Sequence, residues 1–139
     1  TLFRFDIDLA VNEEDVMRMR GDGLIIATPT GSTAYSLAAG GSIAHPALDV
    51  VLITPICAHS LTTRPLILRN DSRLSIGIPR YEGRVYLTVD GQVSTALQTG
   101  DVVRVTRSKH SVRFVRSTHR GYFEILRHKL NWGIGNSSS

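Results

Sequence analysis

The sequence predicts a mainly β, multi-stranded, sandwich-like domain with one short helix after an Asp-Gly strand and a second helix near the C-terminus. Three observations carry this. Apolar and polar residues alternate with period two through about ten short segments, the spacing of half-buried strands. Gly, Pro, Asn and Asp punctuate them, giving about ten short strands in 120 residues. Only two stretches show helical spacing instead. The 139 residues suffice for one domain with a core of its own. A hydrophobic content of 42% with 20% charged residues excludes disordered and collagen-like classes.

Taken in order, Leu2 to Leu9 alternates as a first strand, Val11 to Asp15 is a polar turn, and Val16 to Met19 returns. The run Asp22 to Ala27 predicts a buried strand. Strands are then expected at Val50 to Ile56, Pro65 to Arg69, Leu74 to Ile78, Arg84 to Val89 and Val93 to Leu97. A closing hairpin is expected from Val102 to Arg107 and Ser111 to Arg116, joined by Ser108-Lys109-His110. Ser32 to Ala39 predicts a short helix, with Ser32 as N-cap and Gly40 as the residue past its end. Tyr122 to Leu130 places Phe123, Leu126 and Leu130 on one helical face. Residues 134–139 read as a flexible Gly/Ser tail behind a domain of residues 1–133.

Charge is uneven. The net charge is +4, but residues 1–22 hold six acids against three arginines, and residues 101–120 hold six bases against Asp101 alone. Such a basic stretch can meet nucleic acid or a phosphorylated ligand. Its bases alternate with Val103, Val105, Val112, Phe114 and Val115, so the solvated face of a hairpin is the favoured reading. No apolar run approaches the roughly 20 residues of a membrane helix. The single Cys57 permits no internal disulfide and fits a reducing, cytoplasmic setting. The five histidines show no metal-binding spacing, so no protein-held metal is expected. The start at Thr1, without a signal-like segment, suggests a fragment or processed chain.

The chemistry concentrates between Arg20 and Gly41. A strand presents Asp22 between Gly21 and Gly23, where nothing bulky shields the carboxylate. It ends in a turn of Thr28, Pro29, Thr30, Gly31, Ser32 and Thr33, rich in hydroxyls and backbone N–H groups. Tyr35 could lay its ring on a planar base, and Gly40-Gly41 permits close approach of chain or ligand. A capped connector helix explains the same residues equally well, since neither a Walker loop nor a Rossmann fingerprint is present.

The string Asp22-Gly23-Leu24-Ile25-Ile26-Ala27-Thr28-Pro29-Thr30-Gly31-Ser32-Thr33-Ala34-Tyr35-Ser36-Leu37 resembles the signature of the NAD kinase family. The resemblance continues through His45-Pro46, Thr54-Pro55-Ile56-Cys57-Ala58-His59-Ser60-Leu61, Arg64-Pro65-Leu66 and Val89-Asp90-Gly91-Gln92, and ends at Trp132-Gly133. It implies a C-terminal domain that binds NAD while ATP or polyphosphate supplies a phosphoryl group to the adenosine ribose, giving NADP. By the same resemblance Arg20 and Asp22 hold the dinucleotide, and Thr33, Ala34, Tyr35, Ser36, Leu37 and Ala38 line its pocket. Ala38 stands where the family commonly has serine, which puts a hydroxyl contact there in doubt. Cys57 falls at a pocket-wall position and Gln92 at a ligand-facing one. Without the resemblance, Cys57 reads as an inert buried thiol and Gln92 as a solvated side chain.

The family takes its catalytic Asp from a Gly-Gly-Asp-Gly motif in a preceding α/β domain, with an Asn-Glu pair. This sequence has no Gly-Gly-Asp, and Asn12-Glu13, only ten residues before Asp22, reads as a turn. No catalytic residue is therefore expected here, and the chain alone should be inactive. Mg²⁺ or another divalent cation would ride on ATP rather than on this domain. The expected partners are NAD or NADP, ATP or polyphosphate, the N-terminal domain, and further copies in a dimer or tetramer, with no nucleic acid and no membrane. Competing readings are a lipid or diacylglycerol-type kinase domain and a non-enzymatic β-sandwich binding module.

Overall fold

A computed structural model describes residues 5–80, 83–116 and 118–133. The chain forms two compact units that divide after Arg107. In the first, β1 (Phe5–Val11) and β2 (Glu14–Gly21) form a hairpin, followed by β3 (Gly23–Ala27). A 3₁₀ turn (Thr30–Thr33) and helix α1 (Tyr35–Ala38) come next, then β4 (Val50–Ile56), β5 (Leu66–Arg69) and β6 (Leu74–Gly77). β7 (Val85–Val89), β8 (Val93–Leu97) and β9 (Val102–Val105) complete the unit. All pairings are antiparallel, in sheets of order β2-β1-β6-β9, β3-β4-β5 and β7-β8. The mainly β class expected from the alternation is what forms.

Two sheets face each other across one core. Ile7 and Leu9 of β1, Met19 of β2 and Leu74 and Ile76 of β6 meet Ile53 of β4, with Leu24, Ile26, Leu66 and Leu68 packed around them. On β1, β2 and β6 these residues alternate with mainly polar outward ones, the arrangement by which a sandwich buries one face of a sheet. The opposite face of β3 and β4 carries a smaller cluster of Ala27, Ala44 and Leu52 with Ile25 and Val50. Pro55 sits in β4 without breaking a ladder, because β5 pairs no further along than Ile53.

The β1–β2 hairpin turns through Asn12 and Glu13, at φ 50° and 70°. Both residues are left-handed, as a two-residue hairpin turn of the favoured twist requires. Asn12 also exchanges two hydrogen bonds with the backbone of Arg73, each 2.9 Å. The turn reading of Asn12-Glu13 is borne out. Glu13 is exposed and bears the strain of its φ. Glu13→Gly is expected to stabilise the domain by about 1 kcal/mol, measured as a higher urea midpoint at unchanged slope.

Asp6 and Asp8 lie directly across from Arg20 and Arg18. Arg18 grips Asp8 with two hydrogen bonds of 2.6 and 2.7 Å, and Arg20 Nε donates to Asp6 at 3.0 Å. The Arg18 bond holds the Asp8 carboxyl below its ordinary range. The folded protein therefore releases that proton more readily than the unfolded chain does. The pair's contribution is complete above the ordinary carboxylate range and fades as pH falls through the lowered value. Both side chains are substantially exposed, so solvent screens most of it. Asp8→Asn should slightly flatten the acid limb of a plot of urea midpoint against pH.

The expected closing hairpin does not form. Ser111–Arg116 forms no strand, and β9 ends at Val105 with β6 as its partner. Val112, Phe114 and Val115 are exposed at 77%, 68% and 101%, so alternation here reflects no half-buried face. Helix α2 (Tyr122–Leu130) has the expected bounds. Glu124 in its first turn and Arg127, His128 and Lys129 in its last suit the helix dipole. Asn131 closes it in a left-handed conformation while Trp132 N donates to Arg127 O at 2.9 Å. Leu126 is buried, but Phe123 stands 63% exposed, with its ring against Tyr122. The expected tail 134–139 and the start of the first strand, Leu2 to Arg4, lie outside the described residues.

Candidate functional site

Asp22 occupies the corner where the chain leaves one sheet for the other, after β2 and before β3. Its N–H donates to Ile56 O at 3.0 Å, and His59 N–H donates to Arg20 O at 2.9 Å. Residues 20–23 thus run beside residues 56–59. The approach is tight. A Cβ on Gly21 would lie 2.9 Å from Ile56 O and 3.3 Å from Ala58 Cα, and one on Gly23 would lie 3.0 Å from Ile56 Cδ1. Gly21 is therefore needed where the backbone of residues 56–58 passes, while a side chain at Gly23 would have to displace the end of Ile56.

Within that corner Asp22 Oδ1 is buried and has no hydrogen-bond partner among the described residues. A buried acceptor left unmet costs about 1–3 kcal/mol, so such atoms mark places where a missing partner belongs. The oxygen suits a hydroxyl or N–H donor from a bound molecule. Cys57 follows Ile56 in a left-handed conformation, φ 47°, with its side chain exposed. The buried-thiol reading of Cys57 is thereby corrected: the chain turns at this residue instead of continuing into the core.

The second part of the site lies past the end of β3. Thr28 Oγ1 accepts from Gly31 N at 3.2 Å and starts the 3₁₀ turn, which leads through Ala34 into α1. Ser32 is not an N-cap; it lies within the 3₁₀ turn, and Ala34 precedes α1 with no side-chain cap. Ser32 Oγ instead donates to Pro29 O and accepts Ala44 N at 3.0 Å. Gly40 does follow the helix at φ 90°, as expected for its residue past the end. Ala34, Tyr35 and Ala38 face outward, with Tyr35 62% exposed. Thr33 and Leu37 are half-buried. Ser36 is 1% exposed, its Oγ 2.9 Å from Thr54 Oγ1 of β4.

The two parts share β4. Thr54 lies under α1 and Ile56 receives the Asp22 N–H. They are two residues apart, roughly 7 Å along the strand. Asp22 and Cys57 thus stand at one end of the β3–β4 pair; Arg20 shares the corner through its backbone, while its guanidinium is bonded to Asp6. Gln92 is not part of that assembly: it follows Asp90 and Gly91 at the exposed tip of the β7–β8 ribbon, a separate sheet. The residue that sequence reasoning missed is Thr54. Its signal was a hydroxyl in the middle of the otherwise apolar run of β4. Among the described residues, no group of three or more His, Cys, Asp or Glu stands close enough to hold a metal ion. Nor is any helix among them long and apolar enough to cross a membrane.

Fold and site together define a β-sandwich domain with a carboxylate corner set beside a polar strand–turn–helix segment. Residues 2–117 match the family model of the ATP-NAD kinase C-terminal domain, and the chain belongs to that family. It is 48% identical over 128 residues to the NAD kinase of Geobacter sulfurreducens, covering 92% of this chain and 45% of that protein. It is 46% identical over 131 residues to the NAD kinase of Acidobacterium capsulatum, covering 94% of this chain and 45% of that protein. The chain thus spans less than half the length of these curated relatives. Among solved structures, yeast NADH kinase complexed with NADH superposes with a TM-score of 0.76 at 33% identity, over 99% of this chain and 41% of that one. An NAD kinase from Archaeoglobus fulgidus in complex with ATP gives 0.79 at 26% identity, over 93% and 49%.

Proposed function

We propose that this chain is the dinucleotide-binding C-terminal part of an NAD kinase, with residues 1–133 as its domain. The intact enzyme transfers the terminal phosphoryl group of ATP or polyphosphate to the 2′-hydroxyl of the adenosine ribose of NAD. The observation that carries this reading is the buried, unpartnered Asp22 Oδ1 in a chain of this family. The NADH and ATP complexes of the two structural neighbours support it over a lipid-kinase or non-enzymatic reading.

In this reading Asp22 accepts a hydrogen bond from the dinucleotide. Tyr35 offers an exposed ring to a planar base, between Ala34 and Ala38, which leave room for it. Thr33 and Leu37 form the half-buried flank, and Ser36 supports the helix from beneath. Arg20 joins Asp22 in holding the dinucleotide once its guanidinium, bonded to Asp6, turns to the ligand, and Cys57 forms the adjoining wall. Gln92, on a separate hairpin, is assigned to the ligand by the family resemblance alone. These residues orient; they do not take the proton. Positioning of this kind supplies much of the rate in phosphoryl transfer. The general base belongs to a preceding domain with a Gly-Gly-Asp-Gly motif. The divalent cation is carried by the nucleotide phosphates. Assembly as a dimer or tetramer, and a cytoplasmic location without nucleic-acid or membrane contact, complete the proposal.

In the full-length enzyme, Asp22→Asn is expected to raise the KM for NAD roughly 10- to 100-fold, the worth of one hydrogen bond to a charged group. An unchanged KM would remove Asp22 from the site. Failure of the full-length wild type to make NADP from NAD and ATP would overturn the functional reading itself. The 139-residue chain alone is expected to show no turnover.

A further inference from the structure

The segment that turns Ala34, Tyr35 and Ala38 outward has little of its own to hold its shape. Its 3₁₀ turn and α1 have four residues each. Helices so short do not support themselves in water. Neither is capped by a side chain, and the only buried residues in the two are Ser32 and Ser36. The segment is therefore fixed through hydroxyl groups more than through apolar packing. Ser32 ties it to the backbone of Ala44, and Ser36 ties it to Thr54. Ser32, Ser36 and Thr54 are at most 1% exposed.

The Ser36–Thr54 pair is sealed from one side by Gly41. A Cβ there would lie 2.5 Å from Ser36 Oγ and 2.6 Å from Thr54 Oγ1. Gly41 N also donates to Ser36 O at 2.8 Å. A hydrogen bond fixes distance and direction more narrowly than apolar contact does. Its anchor, Thr54, pairs with Ile25 in the β3–β4 ladder, the ladder that also sets Ile56 and, through it, Asp22.

We infer that Thr54 is a positioning residue: its hydroxyl sets the outward face of α1 relative to Asp22, and thereby the affinity for the dinucleotide, without touching it. This rests on the dinucleotide reading given above. The inference concerns how the pocket is held, which is separable from what the pocket binds.

The test uses the full-length enzyme with Thr54→Val, which keeps the shape and removes the hydroxyl, and Thr54→Ser, which restores it. Thr54→Val is expected to raise the KM for NAD about tenfold, with kcat within about twofold of wild type. Thr54→Ser should return KM to within about twofold. A purely structural role would lower kcat in step with the folded fraction and leave KM in place, and that result overturns the inference. Asp22→Asn is the control. If it raises KM while Thr54→Val does not, the inference fails and the pocket stands; if neither does, the pocket reading itself has failed. Should Thr54→Val not fold, Ser36→Ala breaks the same hydrogen bond from the other side. The same rise in KM supports the inference, and an unchanged KM overturns it.

Discussion

Gly41→Ala is expected to destabilise the domain by about 3 kcal/mol, at the upper end of overpacking effects in well-filled interiors. The added methyl would lie 2.5 Å from Ser36 Oγ, 2.6 Å from Thr54 Oγ1 and 2.8 Å from Ser36 O. The hydroxyls cannot swing away, because each is the other's partner and both side chains are buried. The carbonyl cannot move without opening α1, since it accepts the Gly41 N–H. Gly40 provides the contrast. It has no heavy atom within 4 Å of a built Cβ, so alanine there costs only the strain of its φ of 90°, about 1–2 kcal/mol. Urea denaturation of the two variants separates the effects: a larger fall in midpoint for Gly40→Ala than for Gly41→Ala would refute the packing argument.

Ile53→Ala should cost about 3–4 kcal/mol, the range for a buried aliphatic that leaves a cavity. Ile53 is 0% exposed and is the β4 side chain at the centre of the core shared by the two sheets. Its neighbours are strand residues on both sides, so the structure has little freedom to collapse into the space. Ile67, on β5 and 54% exposed, is the control; its truncation should cost less than about 1 kcal/mol. Comparable losses at Ile53 and Ile67 would mean that the two sheets are not packed as described.

Much of this architecture was legible because the physics behind it is local. β4 at Val50–Ile56 and β8 at Val93–Leu97 have the bounds that alternation and flanking turn residues predict. α2 likewise keeps Tyr122–Leu130. Alternation states only that a segment could pair, and pairing requires a partner in place. Ser111–Arg116 has the pattern of a strand, yet β9 pairs with β6 and leaves it irregular. Nor could sequence separate the roles of a serine hydroxyl. Ser32 fits an N-cap by position, but its oxygen is held inside by Pro29 and Ala44.

The candidate site divides along the same line. An aspartate between two glycines after an apolar strand was visible as a presented carboxylate. That Gly21 serves the passage of residues 56–58 was not, because those residues lie more than thirty positions away. Cys57 looked like core material, and only its left-handed backbone places it outside. Thr54 appeared as one hydroxyl in an apolar strand. Its partner, Ser36, is 18 residues distant.

The corner at Asp22 couples recognition to the integrity of the sandwich. One flank of this residue is the last position of a strand in the first sheet, and the other is the first position of a strand in the second. Any molecule whose hydrogen bond ends on Oδ1 therefore binds a feature that exists only while both sheets hold their mutual registry. Such a molecule acts as a thermodynamic clasp. Its free energy of association adds to the resistance against separating the layers, growing with the logarithm of its concentration once the site is saturated.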